Sequence, residues 1–374
     1  MNRASPESVE SDPLRALAGR RVLALLAGGA SGGAETFFVD LMAALHRAGL
    51  SVHPVVRPHP DRVAALEALG LEVRTAPFGR RLDARTGPRL RRAAARVRPD
   101  LALAFMSRAA LWMPPGPQVK LARLGGYYDL KYYRRCEHLV CITPDIARHV
   151  RAGGWPAGRV HVVPNFASRD DHPAESRARH GTPADAPLLL APARLHPAKG
   201  LDVLLHALAQ VPAAHLWIAG EGPARGELEA LAARLGLDAR VRFLGWRSDR
   251  GALYRAADAV VFPSRHEPFG TVSLEAWAYG RPLVAADAAG PAGLVRPESD
   301  ALLVPREDPA ALAAALRRLL ADPALAARLA AAGRVRYEAE FTEAACVRRY
   351  CRLFARVLQT AGSEEGADSH ERDL

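Results

Sequence analysis

The sequence predicts an α/β protein of two domains, with parallel sheet covered by helices on both faces. Two observations carry this. Short apolar runs bounded by turn residues alternate with helical patterns along most of the chain, the signature of parallel strands joined by crossover helices. The length, 374 residues, suffices for two domains.

Composition narrows the class. With 49% apolar and 24% charged residues the chain suits a soluble globular protein, not a disordered one. No apolar run approaches the ~18 residues of a membrane span. Residues 1–12 are polar and include Glu7, Glu10 and Asp12, unlike a signal peptide. A cytoplasmic location is therefore expected. Cys136, Cys141, Cys346 and Cys351 form two Cys-x4-Cys pairs, without the spacing of zinc ribbons or redox pairs, so reduced structural thiols are expected. The formal charge of +11 comes almost wholly from arginine, the lysines being Lys120, Lys131 and Lys199. Such a field attracts phosphorylated molecules or an anionic membrane surface. There is no helix-turn-helix, zinc-finger or RNP signature and aromatic residues are sparse, which disfavours nucleic acid as a partner.

Taken in order, residues 1–18 read as a disordered tail and 19–167 as the first domain. Arg21–Leu26 is a buried strand, followed by Gly28-Gly-Ala-Ser-Gly-Gly33 and a helix from Ala34 to Ala48 closed by Gly49. Glycines before a helix N-terminus expose amides to an anion. Their spacing departs from Gly-x-Gly-x-x-Gly, and the second strand, 50–56, runs into Arg57-Pro58 instead of an acid, so hydride transfer is disfavoured. Strand signals at 71–74, 101–105, 119–122, 138–142 and 160–165 alternate with a basic helix near 88–98. Thr143-Pro144-Asp145 supplies a cap, an N1 proline and a first-turn acid for a further helix. Arg80, Arg81, Arg85, Arg89, Arg91, Arg92, Arg96 and Arg98 crowd one segment: a solvated face, or a contact for anionic lipid or an acceptor phosphate. Residues 123–135 place Tyr127, Tyr128, Tyr132 and Tyr133 beside four cations and Asp129, either packing a core or walling an acceptor site.

Residues 168–186 are polar and read as a linker; 187–340 form the second domain. A strand at 188–191 leads into a loop carrying Arg194 and Lys199. The strand from His215 runs into the turn Gly220-Glu-Gly222-Pro223, and another from Val241 runs to Gly245 and Trp246. Ala259–Phe262 is a buried strand stopped by Pro263. Glu267 follows in the loop, then a helix with Thr271 as N-cap, Gly280 at its C-terminal end and Pro282 beyond. Glu275 lies one turn inside, among Val272, Leu274, Ala276 and Trp277. A charge there is costly unless something binds it, and open α/β sheets take ligands at such junctions. A strand at 301–304, helices at 308–320 and 323–332, and a last helix over 341–360 complete the pattern. Residues 361–374 read as a disordered tail.

The spacing Glu267-x7-Glu275, with Pro268-Phe269-Gly270 after the first acid and Ala276-x-Ala-x-Gly-x-Pro282 after the second, resembles the retaining glycosyltransferases of family four. Gly32-Gly33-Ala34-Glu35, Arg194 with Lys199, Gly220-x-Gly222-Pro223 and Val241–Trp246 extend the resemblance over most of the chain. It implies the GT-B fold, two Rossmann-like domains facing across a cleft, with the last helix returning to the first domain. The implied activity is transfer of a sugar from a nucleotide diphosphate, UDP favoured, to a glycan or lipid-linked acceptor with retained configuration. Cell-envelope polysaccharide or lipopolysaccharide assembly is the implied setting, with the protein peripheral on the inner face of the cytoplasmic membrane.

The same resemblance implies roles. Arg194 and Lys199 would clamp the diphosphate and Glu267 would hold a donor-sugar hydroxyl; these are the catalytic candidates. Glu275 would accept the ribose hydroxyls. Gly32, Gly33, Gly220, Gly222, Trp246, Phe269, Gly270 and Thr271 complete the donor site. Many members carry a histidine after the Pro-Asp strand of the first domain, where this chain has Met106-Ser107-Arg108. Ser107, Arg108, Tyr127, Tyr128 and Asp129 are therefore the acceptor-side candidates. No Asp-x-Asp occurs, so neither a metal nor a cofactor is expected. The alternative is a nucleotide-sugar epimerase or hydrolase on the same fold.

Overall fold

The computed structural model describes residues 13–30, 32–79 and 83–372. They divide into two compact units, one comprising the residues up to Pro164 together with those from Ala344 on, the other Asn165–Glu343.

The strands of the first unit are β1 (Arg21–Leu26), β2 (Ser51–Val56), β3 (Arg74–Thr75), β4 (Leu101–Phe105), β5 (Val119–Leu124), β6 (His138–Cys141) and β7 (Val160–Val162). All seven pair in parallel, in the order β3-β2-β1-β4-β5-β6-β7. Val22–Leu26 and Leu101–Phe105 have no exposed surface, as strands covered on both faces require. The chain reverses direction across the sheet between β1 and β4, where Leu26 stands opposite Phe105. Thr143 caps the helix Pro144–Ala152, its hydroxyl accepting from Ile146 N at 3.1 Å.

The second unit holds β8 (Leu188–Pro192), β9 (His215–Ala219), β10 (Val241–Gly245), β11 (Ala259–Phe262), β12 (Leu283–Ala286) and β13 (Leu302–Val304). They are again all parallel, in the order β10-β9-β8-β11-β12-β13. The reversal lies between β8 and β11. Leu189, Ile218, Val261 and Val284 meet Leu204, Leu208 and Leu316 in one buried cluster.

Several expectations need correction. The tail is shorter than 1–18: Pro13–Ala16 form a helical turn and Leu17 is buried, while residues 1–12 lie outside the described residues. Segment 168–186 is no free linker but is tied to the second unit. Asp170 accepts from Gly251 N (2.8 Å), Glu175 N donates to Ala252 O (3.0 Å), and Arg177 donates to Ala256 O and Asp258. Its polar residues supply those bonds, so a polar composition did not mean solvation. The last helix, Glu343–Arg372, continues through the segment expected to be disordered, since extending an existing helix costs little compared with nucleating one. Arg80 and Arg81 of the basic segment lie outside the described residues; the rest flank or occupy the helix Thr86–Val97. All four cysteines are buried, and burial pushes Cys136, Cys141 and Cys346 up to about 12.

Candidate active site

In the second unit the loops leaving β8 and β11 stand where the strand order reverses, the position at which open parallel sheets bind ligands. The β8 loop passes through Arg194 to a 3-10 turn, Pro197–Lys199, and the helix Leu201–Ala209. The β11 loop carries Glu267. Lys199 Nζ donates to Glu267 Oε2 at 2.7 Å, with the two side chains 22% and 16% exposed. Backbone and side chains hold the two loops together: Arg265 N donates to Ala198 O (2.9 Å), and the Arg265 guanidinium forks onto both oxygens of Asp202 at 2.7 Å. Arg194 is exposed, and its guanidinium has no ion-pair partner among the described residues. The geometry thus offers one pinned cation and one uncompensated cation.

The turn after β9 adds backbone. Gly220 and Gly222 pack so closely on the carbonyls of Ala193 and Leu195 that a Cβ at either would overlap them. Leu195 N donates to Glu221 O at 2.9 Å, which fixes the β8 loop against this turn. Arg194, Gly220, Trp246, Arg250 and Tyr254 line one open pocket, at which Trp246 is 76% exposed.

Glu275 is 8% exposed. Its Oε2 accepts from Tyr254 Oη (2.5 Å) and from Arg250 Nη2 (2.5 Å), while Oε1 carries no bond to the described residues. Burial, and then the charge of Glu275, raise the Tyr254 phenol well above its ordinary value, so it stays a donor. The same carboxylate raises Arg250. The acid is therefore held by two donors on one oxygen. Thr271 is not the cap of this helix. Gly270, at φ 95°, takes that position and Thr271 becomes its first residue, because the left-handed conformation strains a β-branched side chain. Phe269 is 3% exposed, so its ring belongs to the core and its backbone alone faces the loop. Gly290 N donates to Glu267 O at 2.7 Å.

In the first unit, Gly32 precedes the helix Gly33–Arg47 at the C-terminal end of β1. Ser107 and Arg108 lie on the helix Met106–Leu111, directly after the adjacent β4. Tyr127, Tyr128 and Asp129 follow β5. Tyr127 donates to Asp145, and burial with that bond pushes its phenol up to about 12. Asp129 caps the turn Leu130–Tyr133, accepting from Lys131 N at 3.0 Å, and pairs with Lys131 Nζ at 2.5 Å. All these candidates collect at the carboxyl edge of their own sheet.

The sequence reading missed Arg250 and Tyr254. They sit one turn apart on the helix Arg250–Ala256, and that spacing is the single signal it offered; their partner lies 25 and 21 positions on.

Comparison with known proteins identifies relatives of the chain. The profile described as glycosyltransferase family 4 matches residues 31–171, and that of glycosyl transferases group 1 matches residues 173–336. The chain is 40% identical over 333 residues to the lipopolysaccharide core biosynthesis glycosyltransferase LpsD of Rhizobium meliloti (strain 1021), covering 88% of this chain and 96% of that one. Identity to LpsE of the same organism, described in the same terms, is 36% over 332 residues, 87% and 97% of the two chains. Among solved structures, Anabaena Alr3699/HepE in complex with UDP and glucose superposes with a TM-score of 0.77 over 90% of this chain and 100% of its own, at 22% identity. That likeness concerns the fold.

Proposed function

The chain belongs to the family 4 glycosyltransferases, and we propose that it moves a sugar from UDP to a lipopolysaccharide-core or related lipid-linked glycan with retained configuration. Glycosyl transfer itself follows from membership; the donor, acceptor and stereochemistry are the proposal. The relatives LpsD and LpsE are described as lipopolysaccharide core enzymes, and HepE was solved with UDP. Nothing in the comparisons favours an epimerase or a hydrolase.

The observation that carries the proposed site is the Lys199–Glu267 bridge between the β8 and β11 loops, with Arg194 lining a pocket beside Arg250 and Tyr254, the two donors to Glu275. As the glycosidic bond of the donor breaks, negative charge grows on the departing diphosphate. Fixed donors aimed at it lower the barrier without reorganising. Arg194 would chelate two phosphate oxygens, and Lys199, which keeps further N–H donors after bonding Glu267, would add a point charge. Glu267, oriented by Lys199, would hold a hydroxyl of the sugar; Glu275 would take the ribose hydroxyls on its unbonded oxygen. The carboxylates bind and orient and are assigned no covalent step. In this reading cations on the chain replace a metal at the leaving group.

A membrane surface enters the proposal through Arg85, Arg89, Arg91, Arg92 and Arg98. All are exposed, and none has an ion-pair partner among the described residues. Clusters of this kind attract anionic headgroups. No described helix is long and apolar enough to cross a bilayer.

The test is a panel of nucleotide sugars scored by thermal stabilisation, since a ligand of the folded state raises the unfolding temperature. UDP-sugars are expected to stand out. Stabilisation by another nucleotide series would overturn the donor assignment, and stabilisation by none would overturn the site.

A further inference from the structure

The first sheet has a second edge. Its carboxyl edge carries the acceptor-side candidates, while at its amino edge a cavity of about 260 Å³ opens between the starts of three strands and the last helix. Val119 begins β5, His138 begins β6, and Arg159 and His161 bracket Val160 at the start of β7. Arg356 and Val357, from the helix Glu343–Arg372, complete the wall. All these residues belong to the first unit. Pockets for drug-sized ligands start at ~300 Å³, so this one suits a smaller ion or ester.

Its charges are unbalanced. Glu137 is the one acid on the wall among the described residues, and its Oε1 is committed to Lys120 Nζ at 2.9 Å. Arg159 and Arg356 are exposed, and neither has an ion-pair partner among the described residues. His138 Nδ1 lies 3.1 Å from His161 Nε2, with the ring centroids 5.2 Å apart. Burial, and then the charges of His138, Arg356 and Arg151, lower the His161 pKa to about 4. The ring is therefore neutral near neutral pH, and the arginines that keep it so face the same space. Arg151 is partly spent, its Nη2 donating to Val160 O at 3.3 Å; Arg159 and Arg356 carry no such bond to an acid.

Like charges on a concave wall repel one another and focus their field on the space between them. An anion in that space relieves the repulsion. Guanidinium groups grip phosphate oxygens two at a time. A negative charge beside His161 also favours its protonated form, in which one ring nitrogen can keep the bond to His138 while the other donates to the ligand.

We propose that the amino-edge cavity of the first unit is a binding site for a small phosphate monoester, with Arg159 and Arg356 gripping the phosphoryl oxygens and the His138–His161 pair supplying a further donor. No residue of the proposed donor site lines it.

The experiment titrates glycerol 3-phosphate, with glycerol as the uncharged match, into full-length protein carrying isotope-labelled histidine. NMR follows the rings of His138 and His161, assigned with His161→Gln. Vesicles of phosphatidic acid in phosphatidylcholine, scored by co-sedimentation, present the same group on a lipid. In wild type, glycerol 3-phosphate is expected to shift both rings and move the His161 titration to higher pH, while glycerol shifts neither. Arg159→Gln and Arg356→Gln, both at exposed positions, should each weaken the phosphate about tenfold or more, as loss of a charge-assisted hydrogen bond does. Arg194→Ala should leave the shifts unchanged. If only glycerol 3-phosphate distinguishes wild type from the two arginine variants, the ligand is a soluble ester; if only the vesicles do, it is a lipid headgroup. Unmoved rings together with equal vesicle binding in all three proteins overturn the proposal. Undiminished binding of both probes in both arginine variants overturns it too, as do shifts that vanish in Arg194→Ala, which would trace the phosphate to the donor site.

Discussion

Tyr254 and Arg250 hold the charge on which nucleotide recognition is proposed to turn. Tyr254→Phe removes one O–H donor from a carboxylate that is 8% exposed. The expected cost is about 1–3 kcal/mol of stability, the usual consequence of unsatisfying a buried acceptor. Urea denaturation of the variant measures it, and unchanged stability would show that Arg250 suffices alone. A second residue-scale prediction concerns His161, whose Nε2 lies 3.1 Å from His138 Nδ1 at the amino edge of the first sheet. Burial first, then His138, Arg356 and Arg151, lower its pKa from 6.5 to about 4. The folded state therefore prefers the neutral ring, so this contribution to stability is complete above pH 6.5 and lost as pH falls toward 4. Denaturation at pH 7 and pH 4.5 should show wild type losing of order 2 kcal/mol more than His161→Gln, after discounting for partial exposure. Equal losses would remove His161 from the acid response.

At the scale of elements, the two glycine turns of the second unit are packed against backbone, which cannot move aside. Gly222→Ala would force a methyl into the Leu195 carbonyl. It is expected to cost about 2 kcal/mol or more, at the upper end of overpacking effects, and to lower donor binding as the β8 loop shifts. A variant with wild-type unfolding temperature would contradict the close approach. The strands were legible because buried parallel strands read as unbroken apolar runs: Leu101–Phe105 and Ala259–Phe262 have the bounds expected. Glu267 and Glu275 were legible because strand ends and helix starts mark the ligand edge of such a sheet. What composition could not show is which polar residues are satisfied locally. Thus Asp170 and Arg177 of the expected linker bond to the second unit, and the helix start went to Gly270 because backbone conformation outranks a hydroxyl cap.

At the scale of the whole molecule, the charge of +11 is unevenly used. In the second unit Arg177, Arg225, Arg247, Arg265 and Arg318 are paired with acids, whereas Arg194 and, on the helix Thr86–Val97, Arg89, Arg91 and Arg92 have no ion-pair partner among the described residues. Transfer is therefore expected to persist in EDTA at close to its full rate, assayed with purified protein and a UDP-sugar. Complete loss in EDTA, reversed by Mn²⁺ or Mg²⁺, would place a metal where Arg194 and Lys199 are assigned. The product's anomeric proton, read by NMR, should show the configuration of the donor, and inversion would overturn the proposed stereochemistry.

The most direct measurement is a calorimetric titration of UDP into wild-type protein and into the Arg194→Ala and Lys199→Ala variants. If side-chain cations hold the diphosphate, each variant should bind about tenfold or more weakly, the loss expected when a charge-assisted hydrogen bond to phosphate is removed. Wild-type affinity in both variants would contradict the account.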